Sequence, residues 1–112
     1  MQVPLRITIR HVGHSPVLEE RIRAQAAKLE EFHPRIVSCH VTVAEFTKHK
    51  QQGRHFEVRI DLRIPGHELV VSHKDDEDLY VALREAFASM ARRLEDTARR
   101  RRDYVRAHAR SG

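Results

Sequence analysis

From Phe56 to Ile64 every second residue is apolar: Phe56, Val58, Ile60, Leu62 and Ile64 alternate with Glu57, Arg59, Asp61 and Arg63. A period of two sorts residues onto opposite faces only in an extended strand, so this segment predicts a strand with one dry and one wet face. Pro65-Gly66 follows as a turn pair, and a short strand over about His67 to Ser72 returns beside it. Two other segments repeat the pattern. Val3, Leu5, Ile7 and Ile9 alternate with Pro4, Arg6, Thr8 and Arg10. Val37, Cys39, Val41 and Val43 share one face of a strand over about Ile36 to Phe46, with Ser38, His40 and Thr42 on the other. A polar stretch from Thr47 to Arg54 reads as the loop between strands.

Two segments carry the helical period instead. After Gly13-His14 breaks the first strand, Ser15 suits an N-cap and Pro16 the first helical position, with Glu19 and Glu20 near the positive end of the helix dipole. Leu18, Ile22, Leu29 and Phe32 form the apolar stripe of this helix, which ends at His33-Pro34 because the residue before proline resists the α conformation. A long final helix begins after an Asp75 or Asp76 cap, with Glu77 and Asp78 in its first turn and Leu79, Leu83, Phe87, Met90 and Leu94 as its buried stripe. Arginine takes over that line at Arg101, so packing is expected to end near Ala98 and later turns to be exposed. The expected fold is α+β in the order β-α-β-β-β-α, a four-stranded mixed sheet with two helices packed on one face.

A chain of 112 residues is one domain by size and buries roughly 65% of its unfolded surface, enough for a core without cross-links. Its single cysteine, Cys39, makes no internal disulfide, which suits a cytoplasmic setting. The longest apolar run, Leu79 to Leu83, falls far short of the ~20 residues that span a bilayer. The amino terminus alternates rather than forming a signal-peptide core.

Catalytic and metal-binding constellations are missing from the sequence. The four glycines are scattered, so no phosphate-cradling loop is present. Ser15 is better explained as a helix cap than as a nucleophile beside His14, and Cys39 as a small apolar filler. The nine histidines lack the third ligand or the helical i, i+4 spacing of a metal site and read as surface residues. The chain is not expected to be an enzyme, to hold a metal or cofactor, or to take a small-molecule substrate.

Charge is more informative. The net charge of +5 resides in residues 98–112, where six arginines face one acid, Asp103; residues 1–97 hold fifteen bases and fifteen acids. Binding to a polyanion must therefore use segregated rows. On the first helix Arg21 and Lys28 lie two turns apart along one flank, with Glu19, Arg23 and Glu30 on the other. On the last helix a turn of ~100° per residue gathers Arg84, Arg92, Arg99, Arg102, Arg106 and Arg110 in one sector, interrupted by Glu95, with Arg93 and Arg100 as a second row. The outward sheet rows lack aromatics apart from Phe46, which disfavours base stacking on the sheet. Helix-borne arginines suit phosphate contacts and the shape of folded RNA.

Three stretches resemble the ribosome hibernation-promoting factors and ribosome-associated inhibitors, also called sigma-factor modulation proteins. They are Lys28-Leu29-Glu30 with Arg35-Ile36, the strand His67 to Ser72, and Glu77-Asp78-Leu79-Tyr80 with Val81-Ala82-Leu83 and Met90-Ala91-Arg92-Arg93-Leu94. The similarity runs in order over roughly residues 3–100. It implies a protein of the short type, without the further carboxy-terminal domain of the long type or the acidic tail of the inhibitors. It also implies binding to the small ribosomal subunit and its rRNA in the decoding channel, blocking translation in idle ribosomes, by a protein that is monomeric off the ribosome. Residues 1–98 would form the ribosome-binding domain and residues 99–112 an arginine-rich helix end and tail. Lys28 and Arg92 match basic positions of the family, while Arg21, Arg84, Arg93, Arg99, Arg100 and Arg102 join them as rRNA-binding candidates from their placement here. Glu19, Gln25, Ser89, Glu95 and Asp96 stand where short members often carry a base. The neutral body also supports another reading, a protein-interaction or transcription-regulator module of the same fold.

Overall fold

The computed structural model describes residues 1–13, 15–46 and 53–109. The elements are β1 (Arg6–Arg10), α1 (Pro16–Phe32), β2 (Ser38–Phe46), β3 (His55–Ile64), β4 (His67–Asp76) and α2 (Leu79–Ala109). The sheet order is β1-β2-β3-β4. β1 pairs parallel with β2 across the α1 crossover, and the other two pairings are antiparallel. The fold is therefore α+β with a mixed sheet, as the alternation of periods predicts. Residues 47–52 of the expected polar loop, His14 at the first break and Arg110 of the basic sector lie outside the described residues.

Register explains the core. Ile7, Val41, Ile60 and Val71 form one row straight across the four strands, and Cys39, Leu62 and Leu69 form a parallel row. These residues share one sheet face, and Leu18, Ile22, Ala26 and Leu29 of α1 and Ala82 to Leu94 of α2 close over them as a single apolar cluster. α2 lies over β3 and β4, with α1 beside it. The opposite face carries the intervening polar residues, among them Thr8, Thr42, Arg59 and Ser72 in one cross-strand row.

Several boundaries differ from expectation. β1 starts at Arg6, since Pro4 has no N–H for a ladder, although the Val3 amide still donates to the Val37 carbonyl at 3.0 Å. β4 runs on to Asp76, so neither Asp75 nor Asp76 caps the last helix. Asp78 does, its Oδ1 accepting from the Tyr80 and Val81 amides at 2.9 and 3.4 Å, and no acid remains in the first turn. A cap of this kind contributes about 1 kcal/mol. Ser15 caps α1 as expected, its Oγ accepting from the Leu18 amide at 3.3 Å. Gly66, at φ +83°, supplies the left-handed position of the Pro65-Gly66 turn, which joins the paired residues Ile64 and His67.

Phe32 is the clearest correction on the helices. It is 68% exposed rather than part of the buried stripe. At 100° per residue the buried positions Leu18, Ile22, Ala26 and Leu29 centre about 75° away from Phe32, on the far side of Leu29. Leu79, at the first position of α2, is only half-buried, and Ala82 and Ala86 do more of the close packing against the sheet. Beyond Ala98 the helix continues but leaves the body: residues 99–107 are all exposed.

Candidate nucleic-acid interface

The two helices run in the same direction. Near their starts the Arg21 guanidinium lies over the Tyr80 ring, 5.1 Å from its centroid, and farther along His33 Nε2 approaches Glu95 Oε1 at 3.9 Å. Between them runs an open groove of ≈ 750 Å³. Its floor is small and apolar, with Leu29, Phe87, Ala88 and Ala91, because alanines on α2 keep the helix surface low there. Its rims carry Lys28 from α1 and Arg84, Arg92 and Arg99 from α2, with Arg21 extending the row toward the helix starts. Thus the two flanks separated by the sequence meet across one groove.

The eight candidate residues fall into three places. Lys28, Arg84, Arg92 and Arg99 line the inter-helix groove, and Arg21 lies nearer the helix starts, over Tyr80. Arg93 and Arg100 face the other side of α2, beside His67 to Leu69 of β4. There Arg93 Nη1 donates to the Val70 carbonyl at 2.6 Å, bridging the helix to the outer edge of the sheet. Such a contact covers an edge-strand acceptor that would otherwise invite pairing. Arg102 lines a third region, between the end of α1, the β3–β4 turn and the overhanging part of α2.

Electrostatics favours the groove over the sheet. On the sheet side, Arg54 holds Glu45 at 2.6 Å, Arg59 holds Asp61 at 3.1 Å, and Lys74 and Arg63 approach Glu57 and Glu68 at 3.4 and 3.6 Å. The Arg54 hydrogen bond keeps the Glu45 carboxyl below its usual range, and Asp61 pushes Arg59 further up. Those cations are already neutralised. Lys28 and Arg84, by contrast, have no carboxylate within ion-pair distance among the described residues. Arg92 Nη2 donates to Ser89 Oγ at 3.0 Å, a neutral partner that leaves its charge uncompensated. Arg99 is tied to Asp96 at 2.9 Å, and Glu95 lines the same groove, so four bases face two acids there. The i, i+3 spacing of Asp96 and Arg99 was the available signal for that pair.

Cys39 is buried in the core row, and its thiol is pushed up to about 11, by burial first and by the Asp61 charge second. Three units below that value only about a thousandth is thiolate, the reactive form. Native protein at pH 8 is therefore expected to stay unlabelled by a disulfide reagent until denaturant is added; full labelling of folded protein would place the thiol at the surface. Among the described residues no group of three or more histidine, cysteine or acidic side chains is arranged to hold a metal, and no helix is long and apolar enough to cross a membrane.

The chain is thus a βαβββα α+β domain whose paired helices border a groove with more bases than acids. The chain matches the family described as sigma 54 modulation protein / S30EA ribosomal protein over residues 5–102, and it belongs to that family. Its fold is similar to that of a ribosomal subunit interface protein from Coxiella burnetii, with TM-score 0.70 and 16% identity over 84% of this chain and 96% of the other. It is similar again to the N-terminal domain of Protein Y from Thermus thermophilus, with TM-score 0.69 and 17% identity over 87% and 99% of the two chains. No curated protein matches it in sequence.

Proposed function

We propose that this protein is a ribosome-binding hibernation factor. It lays the inter-helix groove against rRNA in the decoding channel of the small subunit, fills the space of messenger and transfer RNA, and keeps idle ribosomes from translating. The observation that carries this reading is the convergence of Lys28, Arg84, Arg92 and Arg99 on one groove. Family membership supports it, and the Coxiella burnetii neighbour is a ribosomal subunit interface protein. Cations set along parallel helices suit the phosphate backbone of folded RNA, which fixes position without reading sequence.

In this reading residues 1–98 form the ribosome-binding body and residues 99–112 add positive charge beyond it. Arg21 serves both its contact with Tyr80 and the basic row. Arg93 is a positioning residue, since its guanidinium is committed to β4, while Arg100 and Arg102 give outlying phosphate contacts. The protein works in the cytoplasm, and inhibition comes from occupancy rather than turnover. In a cell-free translation system, inhibition is accordingly expected to saturate near one protein per ribosome. Full inhibition at a small fraction of that ratio would instead mean a catalytic poison.

A further inference from the structure

Where α2 leaves the sheet its apolar line is interrupted by Arg101 and resumes at Val105. Leu94, Ala98, Arg101 and Val105 follow one another at spacings of four, three and four, along the direction of the buried stripe. Beside the last of these, Phe32 from the end of α1, Ile64 at the end of β3 and Pro65 of the following turn complete an open groove of ≈ 670 Å³. Phe32 and Val105 are 68% and 57% exposed, and each would gain by burial under a partner.

The rim gives the partner's charge. Arg35, Arg101, Arg102 and Arg106 surround this groove, and no acidic residue lines it among the described residues. None of the four has a carboxylate within ion-pair distance among those residues. The inter-helix groove differs, because Glu95 and Asp96 offset its bases.

We infer that this second groove docks an acidic, amphipathic peptide segment of a partner protein. The partner's aliphatic side chains enter between Phe32, Leu94 and Val105, and its carboxylates pair with the arginine rim. Helix-in-groove recognition works in this way, with anchors at i, i+3, i+4 and i+7 supplying the apolar contact. A second copy of this chain fits poorly, since its matching groove brings like-charged arginines together. A nucleic-acid strand would use the arginine rim but leave the aliphatic Ile64, Leu94 and Val105 unmatched, and the test separates it from a peptide.

The test uses the full chain and a fluorescein-labelled peptide with leucines at i, i+3, i+4 and i+7 and glutamates elsewhere, read by anisotropy. The leucine-bearing peptide is expected to bind about tenfold or more tightly than an all-glutamate peptide of equal charge. Val105→Asp and Phe32→Ser should each remove most of that difference; both sites are exposed, so the fold is retained, which a melting curve verifies. Lys28→Gln, in the other groove, should leave peptide binding unchanged. Equal binding of the two peptides, or no binding, would overturn the inference. So would an oligouridylate of equal charge that binds more tightly and depends on Phe32 and Val105, or a concentration-dependent dimer that Val105→Asp abolishes. Ribosome binding through the inter-helix groove is measured separately, so its failure would leave these results intact.

Discussion

An Ile60→Asp variant is expected to show no cooperative thermal transition. Ile60 is fully buried, and its ladder partners are Val41 on one side and Val71 on the other, both core residues. A carboxylate there has no cation within the apolar cluster and must either stay charged in a low-dielectric layer or take up a proton at a cost. Either penalty belongs to the rare class above about 4 kcal/mol, against a total stability of about 5–15 kcal/mol for a domain of this kind. Ile60→Val is the control: it removes one methylene and should cost about 0.5–1.5 kcal/mol while keeping the transition. Circular dichroism on heating separates the two. A native-like melt of Ile60→Asp would remove Ile60 from the core and with it the register described above.

The second large effect concerns the salt dependence of ribosome binding. Replacing Lys28, Arg84 and Arg92 together by Gln is expected to flatten the log–log plot of affinity against salt by about two to three units, since each lost phosphate contact lowers the slope by about 0.7 to 0.9. All three side chains are exposed, so the fold is retained. Arg59→Gln with Arg63→Gln on the sheet face makes the contrast. Those arginines already face Asp61 and Glu68, and their loss should leave the slope unchanged. Equal slopes for both variants and the parent protein would move the RNA contact away from the groove.

Much of this arrangement is legible in the residues, for physical reasons that differ by element. The strands announce themselves because one sheet face is dry and the other wet, so apolar residues must fall at every second position. Phe56 to Ile64 does so without exception. The helix N-caps are local, and Ser15 is readable from Pro16 after it. The cap of α2 is not, because Asp75, Asp76 and Asp78 all suit the position, and only the extent of β4 selects Asp78. Phe32 misleads through composition: an aromatic near an apolar stripe reads as core, while its angular offset of about 75° places it outside. The groove lies further from reach. Helical angles sort arginines onto flanks, but which flank of α1 faces which flank of α2 depends on how both sit on the sheet. Arg93 shows the same limit, since its partner, the Val70 carbonyl, is twenty-three residues away along the chain.

Competition on the small subunit tests the central claim most directly. Small subunits are saturated with messenger and transfer RNA, and binding of the labelled protein is measured by co-sedimentation at fixed salt against empty subunits. If the inter-helix groove seats in the decoding channel, binding to loaded subunits falls to the level of nonspecific attachment. Empty subunits then take up one protein each, and added protein slows the entry of transfer RNA. Equal binding to loaded and empty subunits, with both RNAs retained, would contradict the account.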